Sequence, residues 1–238
     1  MTDGLEPTQP VLTLAIETSN PSSGAAEVAL GMTAPGACEL LDTQPLGSGE
    51  RHDDLLMPAI ARLFERARRE PDELGRVAVS VGPGGYTGLR IATAAASAIG
   101  LATGAAVVGV PSACVAAAGA ERDGTPFAVA LAFKGESAWV TRFRADGSGL
   151  DAGRLMQTGQ LGDLSRGTWI ADRFLPDPWR RAIQAAGGRI AEPRFEARSV
   201  LRLAWSFEAA PDGVVTPLYG REAEAVTRWR ALHGGPRA

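Results

Sequence analysis

Lysine is almost missing from this chain of 238 residues: it occurs once, as Lys134, while arginine supplies 23 cations, a bias we read as genome composition. Histidine occurs twice, as His52 and His233, so no HxxxH or HExxH frame for a metal exists. The two cysteines, Cys38 and Cys114, stand 76 positions apart without a CxxC pair. That usage excludes a disulfide-stapled secreted module, fits a reducing cytosol, and predicts two small buried hydrophobes. Positive charge is not in excess: the formal net charge is −3, so no basic field marks the chain for binding duplex or tRNA by itself. With 45% hydrophobic and 21% charged residues, disordered and fibrous classes are excluded too.

Residues 1–10 are polar and lack the cationic start of a signal peptide, which predicts a flexible tail leading into a strand. From Ile91 to Ala120 there are 30 residues without a charge, long enough by count to cross a bilayer. Most of them are Ala, Gly, Ser or Thr, and Gly104, Gly109 and Pro111 divide the run into helix, strand and helix. We therefore expect no membrane span.

Apolar runs at Val11–Ile16 and Gly24–Leu30, separated by the turn-rich residues 18–23, predict a hairpin, with a third strand at Cys38–Thr43. Leu56, Ile60, Leu63 and Ala67 form one stripe of an amphipathic helix over His52–Arg69. A strand at Val77–Val81, a helix at Tyr86–Thr103 and a strand at Ala106–Val110 follow. This element order is similar to the ribonuclease-H-like unit of actins, sugar kinases and heat-shock chaperones. Strand-like runs then recur at Phe127–Leu131, Ala138–Phe143 and Trp169–Ala171, with helices expected at Asp177–Ala186, where Asp177 and Pro178 supply start signals, and at Arg198–Ala209. The expected fold is α/β: an actin-like (ASKHA, ribonuclease-H-like) duplication with a reduced second subdomain. The expected division is a tail at 1–10, an N-terminal subdomain at 11–110, a smaller subdomain at 111–225 and a tail at 226–238.

The glycine cluster Gly82-Pro83-Gly84-Gly85-Tyr86-Thr87-Gly88-Leu89-Arg90 joins a strand to a helix, where exposed amides could face an anion. It lacks the lysine of a Walker loop, and Thr87 stands where GxGxxG needs its last glycine. We read it as a structural turn, with positive φ at Gly84 or Gly85 and Thr87 capping the helix. The helix after it shows no charged face between Ile91 and Thr103, so it must be covered, either by helices of the same chain or by a second protein. His52 precedes Asp53 and Asp54 at a helix start, which reads as capping and dipole complementation rather than acid–base chemistry. Glu17-Thr18-Ser19, at the end of the first strand, occupies the place where actin-fold nucleotide enzymes keep an acidic residue; it stands as a degenerate nucleotide-loop candidate. No GxSxG elbow supports a hydrolytic triad.

Three blocks, Leu14-Ala15-Ile16-Glu17-Thr18-Ser19, His52-Asp53-Asp54-Leu55-Leu56-Met57-Pro58 and Val81–Ile91, resemble in order and spacing the signatures of the TsaB (YeaZ) family. Pro217-Leu218-Tyr219-Gly220-Arg221 resembles that family's Pro-x-Tyr-x-Arg ending. The resemblance covers roughly the first 115 residues and the closing motif. It departs at Glu17, where Asp is common, at Asp53-Asp54 for Ser-Glu, at Gly85 for Ser and at Tyr86 for Phe. It implies a cytoplasmic, non-catalytic partner of the catalytic subunit TsaD that, with the ATPase TsaE, supports threonylcarbamoyladenosine synthesis on tRNA. It implies no metal and no cofactor of the chain's own, ATP belonging to partner proteins, and only indirect contact with tRNA. It also implies a homodimer when isolated, through the same surface. Carried onto this sequence, the partner interface falls on His52, Leu55, Leu56, Ala59, Tyr86, Leu89, Ala92, Thr93 and Ala96, with Gly82, Pro83, Gly84, Gly88 and Arg90 shaping the loop. The enzyme alternative is a sugar-kinase-like phosphotransferase or a metallopeptidase of the same fold.

Overall fold

The computed structural model describes residues 9–20, 26–47, 52–121, 123–133 and 135–219. The first sheet is built from β1 (Val11–Glu17), β2 (Glu27–Ala34), β3 (Ala37–Pro45), β4 (Leu74–Gly82) and β5 (Ala106–Pro111), in the order β3-β2-β1-β4-β5. β1 runs antiparallel to β2 and parallel to β4, and β5 is parallel to β4. Helix α1 (His52–Ala67) connects β3 to β4, α2 (Tyr86–Thr103) connects β4 to β5, and α3 (Ser112–Gly119) follows. The uncharged run therefore is divided as its glycines and proline predict, and no helix among the described residues is long and apolar enough to cross a membrane.

The second half repeats the plan. β6 (Phe127–Ala132), β7 (Ser137–Phe143), β8 (Arg154–Gln157), β9 (Thr168–Ala171) and β10 (Arg189–Ala191) pair in the order β10-β9-β6-β7-β8. β6 is again antiparallel to its successor and parallel to β9, so the two sheets share one topology. The copy is reduced where expected: β9 has 4 residues and β10 has 3, and 3-10 turns at Thr158–Gln160 and Gly162–Arg166 replace the helix that α1 provides in the first half. Helices α4 (Asp177–Ala185) and α5 (Ala197–Arg202) complete it. α4 starts without the cap its sequence predicts, since Pro176 holds the cap position and Asp177 makes no capping bond.

Strand alternation sorts side chains into three cores. Leu14, Ile16, Val77 and Val79 face α1 and α2. Ala15, Ala29 and Ala78 point the other way, and these small residues let α3 and α5 close onto the sheet together with Val129, Leu131 and Phe143 of the second sheet. On the far face, Ala128, Ala130 and Trp169 pack against Trp179 and Ile183 of α4. The layers therefore read helix, sheet, helix, sheet, helix.

Two expectations change. The final helix stops at Arg202 rather than Ala209. Beyond it Trp205 is pinned under Arg76, 3.8 Å from its ring, and by a 2.8 Å bond to Thr33 Oγ1, while Ala210 N–H donates to Val107 on the edge of β5. These tertiary partners outcompete continued helix. The boundary near Val110 separates the sheets but not the packing, because α5 and residues 209–218 return to the first sheet. The expected tail at 226–238 and the start of the one at 1–10 lie outside the described residues.

Candidate functional site

At the end of β1 the chain turns, and its residues are used internally. Glu17 is buried, and its Oε1 accepts both the backbone N–H and the hydroxyl of Ser19 at 2.6 Å, while Oε2 has no partner. Burial pushes the carboxyl above its ordinary value, opposed by the bonds from Ser19. Behind it, Ser80 and Ser112 share a buried hydroxyl pair at 2.9 Å. Thr18 Oγ1 donates to the carbonyl of Gly88 at 2.9 Å, and Gly85 N–H donates to the carbonyl of Ser19 at 2.7 Å. The three residues singled out as a nucleotide loop are thus tied to the first turn of α2 or to one another.

That tie explains the glycines. Gly82 takes a φ of 106°, open only to glycine without strain. Neither Gly84 nor Gly85 takes a positive φ, contrary to expectation; a Cβ on Gly84 would be driven into the backbone of Ser19. A Cβ on Gly88 would stand 2.7 Å from the Thr18 carbonyl oxygen. Thr87 does not cap the helix, since Gly85 holds the cap position and no side chain bonds there. Gly104 ends α2 in the left-handed region, its N–H returning to Gly100.

α2 is two-faced. Leu89, Ala92, Thr93, Ala96 and Gly100 are buried against the chain's own sheet, with Thr93 Oγ1 satisfied by the Leu89 carbonyl. Ala94, Ala98, Leu101 and Ala102 are exposed, Leu101 at 88%, and carry no charge. On α1, Leu56 and Ala59 are buried and Leu55 packs half-buried on the same core, whereas Met57 is 52% exposed. Six residues expected at a partner surface (Leu56, Ala59, Leu89, Ala92, Thr93 and Ala96) are therefore interior, because they are the stripes by which α1 and α2 pack onto the first sheet. Only Tyr86 of that set is fully open, and the side chain of His52 lies outside those described.

At the head of α2, Arg90 lies with its guanidinium carbon 4.2 Å from the ring centroid of Tyr86 and donates from Nε to Tyr219 Oη at 2.8 Å. The two tyrosine rings are 5.4 Å apart. Arg90 is thus not only a loop residue; it joins the glycine block to the closing motif.

Residues 43–152 match the TsaD family model, tRNA N6-adenosine threonylcarbamoyltransferase. Comparison by sequence with curated proteins finds no match. Among solved structures, a Pseudomonas aeruginosa protein described as similar to peptidase YeaZ aligns with a TM-score of 0.68 at 19% identity, over 89% of this chain and 100% of that one. YeaZ from Pseudomonas aeruginosa aligns equally well, at 0.68 and 19%, over 88% and 99%. The likeness to these two structures shows that the chain has their fold. The expected α/β fold, duplicated with a reduced second half, is the one observed.

Within this fold, sequence reasoning missed the outward flank of α2. Arg90, the one charge on the helix, could have located it, since Ala94, Ala98 and Leu101 share its face at helical spacing. Tyr219 carried no such signal. A groove of about 910 Å³ also lies between α3, β7 and residues 202–207, floored by Ala113, Cys114 and Ala117 and walled by Trp139 and Phe143. Burial raises the Cys114 thiol to about 11, whereas Cys38 lies exposed on edge strand β3, so neither cysteine is the fully buried hydrophobe expected. Among the described residues no group of three His, Cys, Asp or Glu side chains is placed to hold a metal.

Proposed function

We propose that the chain is a non-catalytic partner subunit in tRNA threonylcarbamoyladenosine synthesis, docking a TsaD-like catalytic subunit through the outward flanks of α2 and α1. The observation carrying this reading is the exposed, uncharged strip Ala94, Ala98, Leu101 and Ala102, which lies inside the segment matching the TsaD family. Small side chains on a helix let a second helix approach closely, and an apolar strip gains from being covered. In this reading the chain is cytoplasmic and acts beside a TsaE-like ATPase. ATP belongs to those partners, and contact with tRNA is indirect. When isolated, the chain pairs with itself through the same strip.

The internal use of Glu17, Thr18 and Ser19 weighs against the sugar-kinase-like alternative, because a carboxylate tied to Ser19 is not presented to a phosphate. Mixing the chain with its cognate TsaD-like subunit should give a stable one-to-one complex in size-exclusion chromatography with light scattering. Failure to co-elute at micromolar concentration, with both proteins folded, would overturn the proposal. Magnesium-dependent ATP binding by the isolated chain, or peptide cleavage lost on chelation, would favour the enzyme alternative.

A further inference from the structure

The chain has only two tyrosines, Tyr86 and Tyr219, and the fold brings both onto Arg90 although they stand 133 positions apart. Tyr219 is placed there by an extended strap. Leu218 N–H donates to Val81 at 2.7 Å, and Val215 N–H donates to Ser97 Oγ of α2 at 3.2 Å, so the strap runs along the helix that bears Arg90. Arg90 is the only formal charge between Tyr86 and Thr103. Its Nε is used by Tyr219, its plane lies near the Tyr86 ring, and among the described residues no carboxylate pairs with it.

We propose that Arg90, positioned by Tyr86 and Tyr219, sets the specificity of the α2 surface by taking a carboxylate of the TsaD-like subunit on its terminal nitrogens. This rests on the docking reading above and names its recognition chemistry. A guanidinium whose Nε is already engaged presents its remaining donors as a planar fork, which matches a carboxylate in two parallel bonds. Two rings that fix the side chain before binding lower the entropy lost on association. Tyrosine and arginine at the edge of an apolar strip are also the residue types that dominate binding when truncated.

The same geometry discriminates between partners. α2 has no carboxylate from Tyr86 to Thr103, so a second copy docked with α2 against α2 leaves each Arg90 unmatched. In that arrangement the cation favours the heterodimer over self-association.

The experiment titrates the cognate TsaD-like subunit by calorimetry with the wild-type chain and with Arg90→Ala, Arg90→Lys and Tyr219→Phe, at low and high salt, with melting temperatures recorded. Arg90→Ala should weaken binding about tenfold or more, and the gap to wild type should narrow at high salt. Arg90→Lys should recover only part of the loss, because a point charge replaces the fork. Tyr219→Phe, which keeps the ring and the strap, should weaken binding several-fold with an unchanged melting temperature. It also serves if Arg90→Ala fails to fold. Self-association of the isolated chain should not weaken in Arg90→Ala. Wild-type binding matched by Arg90→Ala, or by Arg90→Lys, would overturn this inference and leave the docking reading intact. Absence of wild-type binding would overturn the docking reading itself.

Discussion

Thr18 and Gly88 constrain each other: the threonine hydroxyl donates to the Gly88 carbonyl at 2.9 Å, while the Thr18 carbonyl leaves only 2.7 Å for any Cβ on Gly88. The end of β1 and the first turn of α2 are thereby closed on one another.

A consequence is a reversal of the usual helix preference. Gly to Ala inside a helix normally stabilises by about 0.5–1 kcal/mol. Gly88→Ala should instead destabilise by about 1–3 kcal/mol, since the overlap is with backbone and cannot be relieved by a rotamer. Thr18→Val should cost about 1 kcal/mol through the lost hydrogen bond. Urea unfolding of both variants checks this, and a stabilised Gly88→Ala would contradict the described closure.

Glu17 links stability to pH. Its carboxyl is raised from an ordinary 4.5 by burial, so between that value and its higher folded-state value the folded chain holds a proton that the unfolded chain has released. Its effect is therefore a penalty that is absent at low pH and grows as pH rises through that window. Glu17→Gln, which cannot ionise and keeps an oxygen to accept from Ser19, should gain melting temperature over wild type with rising pH. Thermal melts from pH 4 to 8 would show the gap widening; a constant gap would mean Glu17 is not perturbed.

On the flank of α2, Ala98→Glu places a charge on an exposed position without touching the core. Its melting temperature should stay within a few degrees of wild type, while association with the TsaD-like subunit and self-association both fall, because an unpaired charge would be desolvated in either contact. Unchanged mass in light scattering would argue against this face as the contact.

In the second half, Trp179 of α4 stands edge-on to Trp169, with ring centroids 6.0 Å apart, and donates from Nε1 to the Glu136 carbonyl at 2.8 Å, pinning the turn between β6 and β7. Trp179→Phe should lose about 1–3 kcal/mol, from the lost hydrogen bond and the volume vacated around a fully buried ring. Denaturant unfolding read by the remaining tryptophans tests it.

Much of the first half was legible because its periodicities are long and regular. Val77–Val81, Tyr86–Thr103 and Ala106–Val110 fall within or on observed elements, and the duplication was readable from the recurrence of strand-like runs. The reduced half was harder: strands of 3 and 4 residues are too short for alternation to register, and α5 ends where Trp205 finds Arg76 and Thr33. The site was half legible. The absence of lysine beside Gly82 already argued against a phosphate cradle, but beyond Arg90 the helix carries no charge to mark which of its faces is buried.

By itself, then, the sequence determined the α/β class, the strand-to-helix turn at Gly82–Gly88 and the uncharged run of α2 after Arg90, because each follows from local pattern, glycine content and missing charge. Only the tertiary structure decided that Glu17 turns inward to Ser19, that Leu89, Ala92, Thr93 and Ala96 belong to the core while Ala94, Ala98 and Leu101 face outward, and that Tyr219 returns to Arg90. Those facts depend on which surfaces meet in the folded chain, in the case of Tyr219 and Arg90 across more than a hundred residues, and no local propensity encodes that meeting.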